Sequence, residues 1–251
     1  MRKKLLAANW KMYKTIPEMK DFIGTFLPLI NGASDRDVVL GMPFTALATA
    51  AAMLQGTGVG LAAENLYPEE KGAFTGEISP VMLTDVGCTY VIVGHSERRQ
   101  YFGETDEFIN RKAKAALSHR LTPIVCIGER LEERERNRTM QVLETQVAGS
   151  LAGLDAAAAS AVVIAYEPVW AIGTGKVATP QQAQEAHAFI RSQFARHYGA
   201  AAAASVRILY GGSVKPDNVR EIMAQPDVDG GLVGGAALDP HSFSKIVWYD
   251  R

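Results

Sequence analysis

Short apolar runs rich in Val, Ile, Leu and Ala recur along the chain at Leu5–Asn9, Val38–Gly41, Gly60–Glu64, Tyr90–Gly94, Pro123–Ile127, Ala161–Tyr166, Val206–Tyr210 and Gly230–Val233. They lack the polar alternation of a half-exposed strand. Hydrophobicity this continuous suits strands buried on both faces of a parallel sheet. Between the runs lie stretches with helical spacing. Ile109, Ala113, Ala116 and Leu117 form one stripe, and Met140, Leu143, Val147 and Leu151 form another. Helix starts are marked by side chains able to satisfy free backbone N–H groups. Thr15 with Glu18, and Thr179 with Gln182, have capping-box spacing. Ser79-Pro80, Thr179-Pro180 and Asp239-Pro240 each set an N-cap before a proline suited to the first turn. The alanine-rich pieces at Asp155–Ala161 and Gly199–Ala204 are expected to be helix ends or surface connections.

About eight strand–helix alternations with no break in composition predict an α/β fold, a (β/α)8 barrel of eight parallel strands with surrounding helices. It is expected to occupy 1–251 as a single domain, and a length of 251 residues fits one such barrel. The main rival is an open doubly wound sheet. That fold would be expected to carry fewer strands and a G-x-G-x-x-G turn after the first, where Ala7-Ala8-Asn9-Trp10-Lys11 stands instead.

Composition and charge narrow the function classes. With 47% hydrophobic and 21% charged residues the chain can bury a large core. Lys+Arg number 26 against 27 Asp+Glu, so no global field recruits nucleic acid or an anionic membrane. Any anion must be held by a local device. Cys88 and Cys126 lie far apart and outside any CxxC spacing, as expected of buried reduced thiols in a reducing compartment. The first apolar run stops at Asn9 and Lys11, too short for a signal-peptide core, and no run reaches the ~18 residues of a membrane span. A cytoplasmic location is therefore expected.

In a barrel of this kind, side chains at the C-terminal ends of the strands converge on one mouth. Those ends deliver Asn9 and Lys11, Glu64 and Asn65, His95 and Glu97, Glu167, Ser213, and the pair Gly234-Gly235. Glu167 follows an apolar run and precedes Pro168-Val169-Trp170. Taken alone it could be a structural carboxylate paired with a cation, but desolvation by apolar walls would raise its pKa and its basicity, as abstraction of a C–H proton requires. His95 stands where a strand turns into an expected helix N-terminus, whose partial positive charge disfavours imidazolium. A neutral imidazole there can donate a hydrogen bond to a carbonyl oxygen as charge develops. Lys11 reads as an electrostatic anchor for phosphate or oxyanion, with a Schiff-base role as the alternative. Glu97 and Arg98 could equally be helix-surface charges.

Glycine-rich segments follow the last three strands: Ala171-Ile172-Gly173-Thr174-Gly175-Lys176, Tyr210-Gly211-Gly212-Ser213-Val214 and Val233-Gly234-Gly235-Ala236. Their backbone N–H groups can approach an anion closely, and phosphate sites recur in these positions of such barrels. Walker A spacing fails, because Trp170 and Val177 stand where Gly and Ser or Thr would be needed. No clustered set of His, Cys and carboxylates suggests a metal site.

Ala8-Asn9-Trp10-Lys11-Met12, Gly72-Ala73-Phe74-Thr75-Gly76-Glu77, Val91 through Arg99, Ala165 through Lys176, Tyr210 through Val214, Gly234-Gly235-Ala236 and the stretch Phe243 to Trp248 together resemble the triosephosphate isomerase family. The resemblance runs end to end in the family's order. It implies a TIM barrel that interconverts dihydroxyacetone phosphate and D-glyceraldehyde 3-phosphate through an enediolate, without a cofactor or metal. It further implies Glu167 as the proton-shuttling base, His95 as a neutral electrophile, Lys11 and Asn9 steadying the oxyanion, and Glu97 supporting the site. Gly173, Ser213, Gly234 and Gly235 would hold the phosphate. A glutamate base, a neutral histidine and loop closure are the general pattern of that family. Pro168 to Ala178 would form a lid, with Ile172 covering Glu167, to exclude water. A homodimer is implied, Thr75 entering the neighbour's site region. Two rival readings remain: a Schiff-base aldolase on Lys11, and a phosphosugar-binding barrel without chemistry. One departure is Glu64, where many members of the family carry Gln. A carboxylate there is expected to affect dimer stability and its pH dependence rather than catalysis.

Overall fold

The computed structural model describes residues 2–172 and 177–251. All eight predicted strands are present: β1 (Lys4–Asn9), β2 (Arg36–Met42), β3 (Gly60–Ala63), β4 (Tyr90–Val93), β5 (Thr122–Ile127), β6 (Val163–Tyr166), β7 (Arg207–Tyr210) and β8 (Gly230–Val233). They form a closed barrel in chain order. Every neighbouring pair is parallel, and β1 against β8 completes the circle, with Leu5 opposite Gly230 and Ala8 opposite Val233. The predicted (β/α)8 architecture is the one the chain adopts.

Around the barrel run α1 (Ile16–Leu29), α2 (Phe44–Leu54), α3 (Pro80–Asp85), α4 (Ser96–Tyr101), α5 (Asp106–Ser118), α6 (Leu131–Glu135), α7 (Thr139–Ser150), α8 (Ala156–Ser160), α9 (Pro180–Tyr198), α10 (Ala200–Ser205), α11 (Val219–Met223) and α12 (Pro240–Val247). Short 3₁₀ turns cover Val169–Ala171 and Gly235–Leu238.

The unalternated strands are explained by two cores. Leu5, Ala7, Val39, Ile92, Ile124 and Leu209 belong to the inner cluster that fills the barrel. Their neighbours Leu6, Ala8, Leu40, Val93, Val125 and Ile208 belong to the outer cluster beneath the helices. Each fully buried aliphatic side chain contributes about 1.5–3 kcal/mol on either face, so neither face selects polar residues.

The helical stripes lie where expected, with Ile109, Ala113 and Ala116 buried on α5, and Leu143, Val147 and Leu151 buried along α7. Met140 departs from its stripe, being 37% exposed at the open end of α7. The predicted caps form. The Ser79 hydroxyl accepts the Met82 N–H at 3.2 Å, Thr179 accepts that of Gln182 at 3.2 Å, and Asp239 accepts that of Ser242 at 2.7 Å. The Glu18 carboxylate reaches back to the Thr15 N–H at 2.7 Å. A good N-cap is worth about 1 kcal/mol, enough to set where each helix begins.

The alanine-rich pieces form the short helices α8 and α10 in their own right, consistent with alanine's low cost in a helix. Because Ala161 caps α8, the sixth strand starts at Val163, two residues later than its apolar run. Both cysteines are free and buried. No helix among the described residues is long and apolar enough to cross a membrane.

Candidate active site

β1 ends at Asn9, only 5% exposed, and the chain then turns through a left-handed backbone at Lys11, φ 58°. A side chain in that conformation costs on the order of 1–3 kcal/mol and persists only where its surroundings hold it. Here the Lys11 N–H donates to Asn9 Oδ1 at 3.2 Å, and Nζ donates to Glu97 Oε1 at 2.5 Å. The strained turn thus aims the ammonium group across the mouth of the barrel.

β4 passes into α4 through Gly94, also left-handed at φ 70°. A Cβ at that position would lie 2.8 Å from Ile109 Cδ1, so glycine is required on both conformational and steric grounds. The turn makes His95 the N-cap of α4, where its Nδ1 accepts the Glu97 N–H at 3.3 Å. With Nδ1 accepting, the neutral ring carries its proton on Nε2. That nitrogen lies 2.8 Å from Glu167 Oε1.

Glu167 follows β6 and is 2% exposed. Its backbone N–H donates to the Ile127 carbonyl at 2.7 Å, and its Oε2 accepts the Ser96 N–H at 2.9 Å. A side chain on Gly128 would bring Cβ within 1.7 Å of the Glu167 carbonyl oxygen, so the close approach of β5 and β6 here depends on glycine.

The electrostatics revise two expectations, a raised pKa at Glu167 and a disfavoured imidazolium at His95. Burial does push the Glu167 carboxyl upward, as anticipated. However, the adjacent His95 ring, the Ser96 N–H and Lys11 together outweigh burial, and the net direction is downward. For His95, burial disfavours the imidazolium, but the Glu167 carboxylate more than compensates and the net direction is upward. Base and imidazole therefore stabilise each other's charged forms when they face one another directly.

Asn9, Lys11, His95, Glu167 and Ile172 line a cavity of about 720 Å³ together with Gly211, Gly212, Ser213, Gly234 and Gly235. The sequence-predicted residues Asn9, Lys11, His95, Glu167, Ser213, Gly234 and Gly235 are thus brought to one place. Glu97 stands behind them, holding Lys11 and placing Oε2 3.4 Å from His95 Nδ1. Gly173 lies outside the described residues. No group of three or more metal-ligating side chains occurs among the described residues.

The chain matches the family model described as triosephosphate isomerase over residues 4–249. It belongs to the triosephosphate isomerase family. It is 57% identical over 251 residues to the triosephosphate isomerase of Citrifermentans bemidjiense, with 100% of each chain covered. Identity is 55% over 249 residues with that of Chloroflexus aurantiacus, covering 99% of this chain and 100% of the relative. It is also 55% over 251 residues with that of Endomicrobium trichonymphae, covering 100% of both. The match takes in every strand end of the triosephosphate isomerase barrel described above.

Two contributors to this candidate site were missed in the sequence. Glu129 is fully buried and accepts the Tyr166 hydroxyl at 3.1 Å, Trp170 Nε1 at 2.8 Å and Arg134 Nη1 at 3.2 Å. It ties the end of β5 to the segment that follows Glu167. Its signal was available, since it stands just past a strand end as His95 and Glu167 do. The Ser96 contribution is a backbone N–H, which has no residue signature.

Proposed function

We propose that this cavity interconverts dihydroxyacetone phosphate and D-glyceraldehyde 3-phosphate, with Glu167 as the base. Membership of the triosephosphate isomerase family makes the chain an aldose–ketose isomerase. The observation that carries the residue assignment is the buried Glu167 carboxylate 2.8 Å from His95 Nε2, in a cavity also lined by Gly211, Gly212, Gly234 and Gly235 of the glycine-rich loops.

The chemistry follows from those positions. Glu167 removes a proton from carbon 1 of the ketose and returns it to carbon 2. Between the two transfers, charge rests on the enediolate oxygens, and the hydroxyl proton on the carbon 1 oxygen passes to the carbon 2 oxygen, so that carbon 1 becomes the aldehyde and carbon 2 the alcohol. His95 donates from Nε2 to them, Lys11 supplies positive charge nearby, and Asn9 steadies the Lys11 turn while lining the same wall. A substrate carbonyl that takes the Nε2 hydrogen bond replaces Glu167 as the partner of His95. The carboxylate then loses much of what holds its pKa down, burial dominates, and its basicity rises at the moment it is needed. Ser213, Gly234 and Gly235 offer hydroxyl and backbone donors for the phosphate, with Gly173 completing the set by family resemblance. The lid expected over Pro168 to Ala178 includes 173–176, outside the described residues; of its described part, Ile172 lines the cavity.

Binding alone needs neither Glu167 nor His95, which disfavours a non-catalytic barrel. An aldolase amine would be activated by desolvation or a neighbouring cation, whereas Lys11 is paired with Glu97. We further infer that 1–251 works as one domain and that two copies associate. Exposed apolar side chains lie on the loop after β1 (Met12, 94% exposed), on the loop after β3 (Phe74, 40%) and at the end of α4 (Tyr101, 70%, and Phe102, 67%). Covering them against a second copy, with Thr75 reaching the neighbour, removes an unfavourable surface. Size-exclusion with light scattering tests this, and a fully active monomer would refute it. Two free thiols suit a cytoplasmic location.

The test of the reaction is a coupled assay on glyceraldehyde 3-phosphate beside a folded Glu167→Gln variant. A positioned base is worth about 10²–10⁴-fold, so the variant falls by at least that much. A folded parent without activity overturns the assignment.

A further inference from the structure

We propose that Arg99 is a positioning residue for the isomerisation, its guanidinium clamping together the two strand ends that carry His95 and hold Glu167. This rests on the reaction assigned above. Arg99 is on α4 and its side chain is 14% exposed. Nε donates to the Gly94 carbonyl at 2.9 Å, and Nη2 donates to the Cys126 carbonyl at 3.1 Å. The paired register of β4 and β5 ends at Val93 opposite Val125. Gly94 and Cys126 are the next residues on each strand, so the arginine bridges the barrel just where its own ladder runs out.

Both carbonyls lead directly to the reacting groups. The Gly94 carbonyl shares a rigid peptide plane with the His95 nitrogen, so fixing one fixes the other. Cys126 precedes Ile127, whose carbonyl accepts the Glu167 N–H at 2.7 Å. One planar side chain therefore links the backbone of the proton donor to the strand that anchors the base. The fork is itself oriented: Nη1 donates to Asp106 Oδ1 at 2.6 Å, and the fully buried Ser150 hydroxyl donates to the same oxygen at 3.0 Å. Nη2 also reaches Ser150 Oγ at 3.3 Å. A lysine keeps the charge but not the planar set of donors, so it cannot hold two backbone carbonyls and a carboxylate at fixed angles.

The alternative is that Arg99 only glues α4 to α5 and α7. The experiment compares Arg99→Lys and Arg99→Ala with the parent in the coupled isomerase assay, in thermal unfolding, and in the imidazole 15N resonances of His95. A misplacement of about 1 Å at the reacting groups costs on the order of 10²-fold, and the expected loss is of that size in kcat. KM stays within roughly threefold, because the phosphate loops lie elsewhere. The His95 resonances shift, and millimolar guanidinium, but not sodium chloride at equal ionic strength, restores part of the kcat of the alanine variant. A folded lysine variant with kcat within about twofold of the parent, and unshifted His95 resonances, overturns the proposal. If neither variant folds, Asp106→Asn, which frees the fork while retaining Arg99, is read by the same criteria. If the parent itself does not isomerise the substrate, the assigned reaction has failed, and the His95 resonances alone decide the clamp.

Discussion

Glu167 Oε1 lies 2.8 Å from His95 Nε2, so the base and the hydrogen-bond donor of the proposed reaction are each other's partner before a substrate separates them. Their sequence positions are far apart, and the contact exists only because β4 and β6 end at the same rim of the barrel. Each group's tendency to ionise is consequently set by the other as well as by burial.

Replacing His95 by Gln should therefore do two things. Loss of an oxyanion donor is expected to lower kcat by about 10²–10³-fold. Loss of the imidazole also removes the largest influence opposing burial at Glu167, so its pKa rises. Glu167 acts as a base only when ionised, and the acidic limb of the kcat/KM profile should move to higher pH. A profile that falls in height but keeps its limb would show that His95 does not hold the carboxylate down.

Glu64 carries the opposite shift. Burial pushes its carboxyl up to about 8, the Lys11 N–H and the His95 ring opposing only in part, and Oε1 has no hydrogen-bond partner. The folded chain thus binds a proton that the unfolded chain releases near its ordinary value of 4.5. Stability is unaffected by this group below that value, declines as pH rises toward about 8, and then levels off. Glu64→Gln should leave thermal unfolding little changed at the acidic end and stabilise progressively from there to the alkaline end, by up to a few kcal/mol. A stability difference that does not vary with pH would sink this account, together with any pH-dependent role for Glu64 in subunit pairing.

Glu129 is expected to matter for the segment after Glu167. Glu129→Ala leaves the buried Tyr166 hydroxyl without its acceptor, at about 1–3 kcal/mol, and removes the 2.8 Å hydrogen bond from Trp170 Nε1. Glu129→Gln retains an acceptor and should lose less. Thermal unfolding and Trp170 fluorescence read the two effects. Equal behaviour of the Ala and Gln variants would show that the hydrogen bonds to this carboxylate contribute little.

The architecture was legible in local pattern. Eight apolar runs without alternation correspond to eight strands buried on both faces, and the caps at Ser79, Thr179 and Asp239 form as their spacing requires. The rule that strand ends meet at one mouth also located Asn9, Lys11, His95, Glu167, Ser213, Gly234 and Gly235 before any distance was known. Burial periodicity and capping depend on neighbours a few residues away, so a single sequence records them.

Other properties arise only from residues remote in sequence but close in space. Glu167 takes a hydrogen bond from the Ser96 N–H across 71 positions of chain, and Lys11 reaches Glu97 across 86. Because electrostatic interactions depend on separation and solvation rather than chain order, desolvation alone gave the wrong direction for Glu167. The same holds for Arg99, whose residue type announces only charge. Sequence determined which side chains arrive at the mouth of the barrel. Closure of the barrel decided which of them face each other, and therefore what each one's proton does.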